Sequence, residues 1–119
     1  MSVTPSQFDL LNRLLDTAGL RQRVIAQNVA NVNTPGYHRL DVSFEDTLAR
    51  ELQSNSEATG VNAQPRVIEA VGGVARADGN NVDIDAEMGQ LSKNTLLYNA
   101  CTQILASKLA AMRSAIAGR

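Results

Sequence analysis

One pattern constrains this chain more than any other. Ile84, Met88, Leu91, Thr95, Tyr98, Thr102, Leu105, Leu109, Met112 and Ile116 follow one another at alternating steps of four and three. That is the seam of a helix that lies against another helix. Asp83 or Asp85 offers a cap, and the acids Asp83, Asp85 and Glu87 suit the positive end of the helix dipole. No Pro interrupts the run, and a helix of about 33 residues is about three times the usual length, which points to a coiled coil or an assembly element.

A second seam runs near the amino terminus through Phe8, Leu11, Leu15, Ala18, Gln22, Ile25, Val29 and Val32. Pro5 stands at a first helical position, Thr4 and Gln7 have capping-box spacing, and Val3 and Phe8 could form a hydrophobic staple. The sequence predicts a helix over about 5–30, stopped by Thr34-Pro35-Gly36-Tyr37. Pro then Gly at the two central positions asks for a type II turn, because the second needs positive φ. Leu40, Val42 and Phe44 alternate with polar residues as a short extended piece. Phe44, Leu48 and Leu52 then recur every four residues, a short helix for which Ser43 and Asp46 offer a second, weaker cap. Between 54 and 82, Val67–Val71 and Val74–Arg76 flank Gly72-Gly73, which predicts a hairpin with a loop as the alternative.

The expected fold is all-α: long N- and C-terminal helices paired as an antiparallel coiled-coil-like bundle, with a short helix and a loop or small β-hairpin between them. It forms one structural unit in three segments: 1–53 with the first helix, turn and short helix, 54–82 as the variable part, and 83–119 as the last helix. Composition agrees. Of 52 apolar residues 16 are Ala and 30 are Leu, Ile, Val or Phe, with no Trp. Thin helix-on-helix packing suits that set better than a sandwich or barrel.

Charge narrows the function. Eleven basic against twelve acidic residues leave no electrostatic footprint for nucleic acid. Cys101 alone excludes a disulfide framework or a multi-Cys zinc site and reads as a small buried hydrophobe. No run approaches 18 apolar residues, so no direct membrane insertion is expected, and the opening residues lack the plan of a secretory signal peptide. His38 has no matched partner for catalysis and is more often a surface residue. Arg21 and Arg23 could grip phosphate, yet no basic patch supports them. The acids from Asp78 to Glu87 miss the calcium-loop spacing, since Asp83 stands where Gly is needed. No catalytic constellation, metal site or cofactor is expected.

Residues 24–38 and 94–107 carry no Asp, Glu, Lys or Arg. The faces away from the seams read Asn28, Asn31, Asn94, Asn99, Gln103 and Ser107 with several Ala. Small neutral groups tolerate burial better than ions do, so the helices are expected to be surrounded by neighbouring subunits. The competing reading is ordinary solvated surface.

The stretch from Arg23 to Tyr37, with Ala30-Asn31-Val32-Asn33-Thr34-Pro35-Gly36-Tyr37 at its end, resembles the amino-terminal signature of flagellar basal-body rod and hook proteins. Asp41-Val42-Ser43-Phe44, the segment Asp78 to Met88 and Leu97-Tyr98-Asn99-Ala100 are similar to a short proximal member of that family. The resemblance covers roughly 8–52 and 78–117. It implies a structural, non-enzymatic subunit of the bacterial flagellum, exported through the type III apparatus without signal cleavage. Such a subunit polymerises helically into the rod that crosses the periplasm, the drive shaft and export channel for motility. The implied partners are copies of itself, other rod proteins, the rod-base adaptor and the export gate. The interface residues expected are Ile25, Asn28, Val29, Asn31, Thr34, Pro35, Gly36, Tyr37, Leu91, Tyr98, Leu105, Leu109 and Met112, with Tyr37 at an exposed corner. The monomer is expected to be partly disordered and to order on assembly. A free-standing coiled-coil adaptor or secretion chaperone is the alternative.

Overall fold

The computed structural model describes residues 5–54 and 62–118. The proposed capping box and staple at Val3 and Thr4 lie outside the described residues. Helix α1 runs Pro5–Ala30, strand β1 Leu40–Ser43, helix α2 Glu45–Ser54, strand β2 Arg66–Glu69 and helix α3 Ile84–Ala117. With 26 and 34 residues, α1 and α3 span about 39 and 51 Å, which gives the molecule its long axis of 64 Å.

Helices α1 and α3 lie side by side and antiparallel. Three contacts fix the direction: Asn28 meets Glu87, Asn94 meets Ala18, and Lys108 meets Gln7, so α1 numbers fall as α3 numbers rise. Asp83 caps α3 as expected; one carboxylate oxygen accepts from Asp85 N at 3.0 Å and Ala86 N at 3.3 Å. Gly118, at φ 70°, closes the other end.

The face of α3 turned toward α1 differs from the apolar seam read in the sequence. Its buried residues are Glu87, Asn94 and Cys101, seven apart, with Leu91 and Leu105 half-buried beside them. Ile84, Met88, Leu109, Met112 and Ile116 are exposed. Leu91 and Leu105 keep one row of the expected seam on that side, while the row of Glu87, Asn94 and Cys101 replaces that of Met88, Thr95, Thr102 and Leu109, a turn of about 50°. The reason is chemical: Glu87 and Asn94 find hydrogen-bond partners on α1, and those partners fix the rotation.

The small core sits at the start of α2. Phe44 is fully buried with Ala63, and Leu10, Leu14 and Leu48 pack around them. The Glu51 carboxylate accepts from Asn62 N and Ala63 N, both at 2.6 Å, and so holds Ala63 against that cluster. Phe44 itself takes the cap position of α2, its carbonyl accepting from Leu48 N at 2.9 Å, in place of the Ser43 and Asp46 cap expected. Leu52, the third member of the expected apolar stripe, is exposed.

The expected hairpin across Gly72-Gly73 does not form. Residues 66–69 pair instead with β1, antiparallel, in the register Leu40↔Glu69 to Ser43↔Arg66. Both glycines have positive φ, but residues 74–76 are not a strand, and Val71 and Val74 stand in solvent. The ladder with β1 wins because β1 is already anchored on α1, whereas an isolated two-stranded hairpin is marginal.

The Pro-Gly turn forms as expected. Tyr37 N donates to Thr34 O at 3.2 Å and Gly36 has φ 73°. Gly36→Val strains that backbone and should cost about 1–3 kcal/mol, read as a lower helix-melting midpoint by circular dichroism. An unchanged midpoint would show that the turn does not need glycine.

Candidate assembly surface

The C-terminal end of α1 leaves carbonyls that no later helical turn can satisfy. The loop before α3 supplies the donors. The buried Asn80 directs its Nδ2 at the carbonyls of Asn31, Val32 and Thr34, at 2.8, 3.0 and 2.9 Å, while its Oδ1 accepts from Val82 N at 2.8 Å. The Arg76 guanidinium donates to Val32 O and, at 2.6 Å, to Val82 O. Gly36 N donates to Asp78 O at 2.8 Å, and Arg39 N to Asn81 Oδ1 at 2.7 Å. Gly79 lies so near the turn that a Cβ there would stand 3.4 Å from Gly36 Cα. The Asp78-to-Asp83 segment is therefore a plug for the end of α1 as well as the lead into α3.

One helical turn back, Asn28 is wholly buried. Its Oδ1 accepts from Leu40 N and from the Tyr37 hydroxyl, both at 2.9 Å. Its Nδ2 donates to Leu40 O at 2.8 Å and to Glu87 Oε2 at 3.3 Å. Glu87 Oε1 accepts from Arg39 Nε at 2.7 Å. Burial first, then the Glu87 charge, pushes the Tyr37 hydroxyl above its ordinary value against the opposing pull of Arg39, so the phenol stays a donor. Tyr37 is half-buried rather than the exposed corner residue expected, because its hydroxyl is drawn in to Asn28.

Arg21 donates to Val42 O at 3.3 Å and pairs with Glu45. Hydrogen bonding to Arg21 holds the Glu45 carboxyl below the usual carboxylate range, with burial partly opposing. His38 is exposed and pairs its Nδ1 with Glu69 Oε1 at 2.8 Å. Cys101 is buried, as its uncharged surroundings suggested. Among the described residues no group of three or more His, Cys, Asp or Glu is placed to hold a metal, and no helix is long and apolar enough to cross a membrane.

The thirteen expected interface residues divide into two sets. Ile25 and Asn28 are buried within the subunit, and Val29, Asn31, Tyr37, Leu91 and Leu105 are half-buried. Thr34, Pro35, Gly36, Tyr98, Leu109 and Met112 are exposed. Asn94 likewise turns inward, its Nδ2 donating to Ala18 O at 2.8 Å, although the sequence placed it and Asn28 on outer faces. Three exposed apolar residues of α3 went unnoticed in the seam pattern: Leu96, 72% exposed, with Leu97 and Ile104. The signal was available, since an apolar residue off the seam in a charge-free helix has no partner within the pair.

Glu87→Ala leaves Arg39 without its carboxylate and one Asn28 amide hydrogen without an acceptor, and should cost about 3–5 kcal/mol; Glu87→Gln, which keeps an oxygen, should cost less. Thermal melts of both variants check the order, and equal losses would assign the cost to the carboxylate charge and not to the acceptor oxygen that Gln keeps. The Glu45 carboxyl is depressed in the folded chain, so its stabilisation is present above the unfolded carboxylate range and lost as pH falls through the folded value. Melting midpoints should therefore drop between about pH 5 and 3, less steeply in Glu45→Gln. The drop is small because Glu45 is largely exposed.

Residues 15–38, the second half of α1 with the corner, match the family of flagella basal body rod proteins. The chain is similar to flagellar basal body rod protein FlgB of Borrelia hermsii, 36% identical over 89% of this chain and 92% of that one. It is also similar to FlgB of Salmonella typhimurium, 31% identical over 87% and 88%, and to FlgB of Bacillus subtilis, 28% identical over 99% and 98%. Identity at that level across nearly the whole of both chains, on top of the matched helix and corner, places this protein in the flagellar basal body rod protein FlgB family.

Proposed function

We propose that the chain is a structural subunit of the flagellar basal-body rod, which polymerises helically with copies of itself and with other rod proteins. One observation carries the reading. The pairing with α1 buries Glu87, Asn94 and Cys101 of α3 and leaves Leu96, Leu97, Tyr98, Ile104, Leu109, Met112 and Ile116 exposed. A helix that keeps polar residues for its own partner and turns apolar ones outward is built for contact with further subunits. Its neutral surroundings favour this, because no ion in 94–107 must be desolvated when a neighbour arrives.

Family membership supports the wider expectations: export through the type III apparatus without signal cleavage, and a position in the periplasmic rod near the adaptor and export gate. The exposed Thr34, Pro35 and Gly36, at one end of α1, are the corner we assign to contacts with the next subunit. The subunit alone buries few large apolar side chains, so its helicity should rise with concentration as neighbours cover α3.

The test replaces two exposed apolar residues of α3. Leu96→Asp with Ile104→Asp, in a flagellated host lacking its own copy, should abolish rods in isolated basal bodies and stop swimming. The purified variant should keep the helical signal of the dilute wild type. Normal swimming with both changes would sink the assignment of α3 as the assembly face.

A further inference from the structure

Helix α3 carries more seam than its partner helix uses. The row of Glu87, Asn94 and Cys101 faces α1, and on one flank Gln90, Lys93 and Leu97 border an open groove toward β1. At about 100° per residue, the three-four seam from Ile84 to Ile116 lies on the opposite flank. Of its ten residues only Leu91 and Leu105 are half-buried; Ile84, Met88, Thr95, Tyr98, Thr102, Leu109, Met112 and Ile116 are exposed. Its two threonines are already satisfied. Thr95 and Thr102 turn their hydroxyls back to the carbonyls of Leu91 and Tyr98, at 2.9 and 2.8 Å, so burying them leaves no donor stranded. A seam of this period along a whole helix fits a second helix of the same period.

The order of the residues says which helix that is. Laid antiparallel on its own copy, the seam sets Ile84 opposite Ile116, Met88 opposite Met112 and Leu91 opposite Leu109, with Thr95 on Leu105 and Tyr98 on Thr102 in the middle layers. The flanking charges agree. Asp85 comes beside Arg113 of the second copy, and neither residue stands in an ion pair among the described residues. Arg113 is also the single charge in 109–118. A parallel copy would instead crowd Asp83 and Asp85 at one end and Lys108 and Arg113 at the other.

We infer that the free chain pairs with a second copy through this flank of α3, antiparallel, about a two-fold axis near Asn99. The same patch serves both partners, so the contact is isologous and closes at two copies. It leaves Leu96, Leu97 and Ile104 outside the seam. The inference therefore goes beyond the rod reading: the pair is a resting form that keeps the longest apolar seam of the chain out of water before assembly.

The purified full chain provides the test. Light scattering should give twice the chain mass, falling toward the single mass on dilution. With Cys101→Ser to remove the native thiol, a Ser92→Cys chain should cross-link to an Ala106→Cys chain through a short bis-maleimide, and neither to itself. Asp85→Arg alone and Arg113→Asp alone each set two pairs of like charges across the dimer and should weaken it about tenfold. Mixed together, the two singles should pair with each other as tightly as the wild type. A monomer at every concentration, a series of larger species, cross-linking of Ser92→Cys to itself, or singles that do not pair on mixing overturns the inference. None of these outcomes touches the rod reading, which Leu96→Asp with Ile104→Asp tests on residues outside the seam.

Discussion

A single buried amide joins the parts of this subunit. Asn28 uses both lone pairs and both hydrogens, accepting from Leu40 N and the Tyr37 hydroxyl and donating to Leu40 O and Glu87. It thereby acts as the missing strand beside β1, the anchor of the corner and the polar contact to α3. The same Glu87 takes Arg39, so the corner, the strand and the last helix are fixed by one connected network. Buried networks of this kind are favourable only when every member is satisfied. Here Asn28 has no free site, and its hydrogen bonds dictate which face of α3 turns inward.

That dictation separates register from adhesion. At intervals of seven, Glu87, Asn94 and Lys108 each reach α1, while Cys101 fills the remaining step. Polar contacts at a helix seam specify alignment at a cost in stability. The apolar residues that would have strengthened the pair lie on other sides of α3, available to neighbours. In the proposed rod, a subunit arranged this way gains further hydrophobic stabilisation by joining others, while its internal contacts hold its shape.

Much of this was legible in the sequence. The three-four spacing located both long helices to within a residue or two, Pro35-Gly36 gave the turn, and Asp83 gave the cap. What escaped was rotation. Periodicity shows that α3 has an apolar stripe; it does not show that Glu87 and Asn94 will outcompete that stripe for the inner face, because their partners are an amide and a carbonyl far away in the chain. The pairing of β2 with β1 escaped for the same reason. Gly72-Gly73 is a local hairpin signal, whereas the ladder that forms depends on Asn28 holding β1, a contact no window of neighbouring residues contains. The corner plug was half visible: Asp78 to Asp83 was recognisable as a lead into α3, but Asn80 binds three carbonyls nearly fifty residues earlier.

The two charge-free stretches have different physical origins. In 24–38 the subunit's own fold disfavours ions over part of the stretch, since Val24, Ile25 and Asn28 are buried and Tyr37 and Asn31 partly so, whereas Ala26, Gln27, Ala30 and Asn33 to Gly36 are exposed. In 94–107 only Asn94 and Cys101 are buried in the isolated chain, while Leu96, Leu97, Tyr98 and Ile104 stand exposed beside Asn99 and Gln103. Nothing within the subunit forbids a charge at most of those sites. An uncharged, partly apolar helix face that the fold leaves in water fits the proposed burial against other subunits. The first stretch is thus partly explained by how the chain packs on itself, and the second is the one that the proposed contact with neighbouring subunits accounts for; the position of each side chain separates the two.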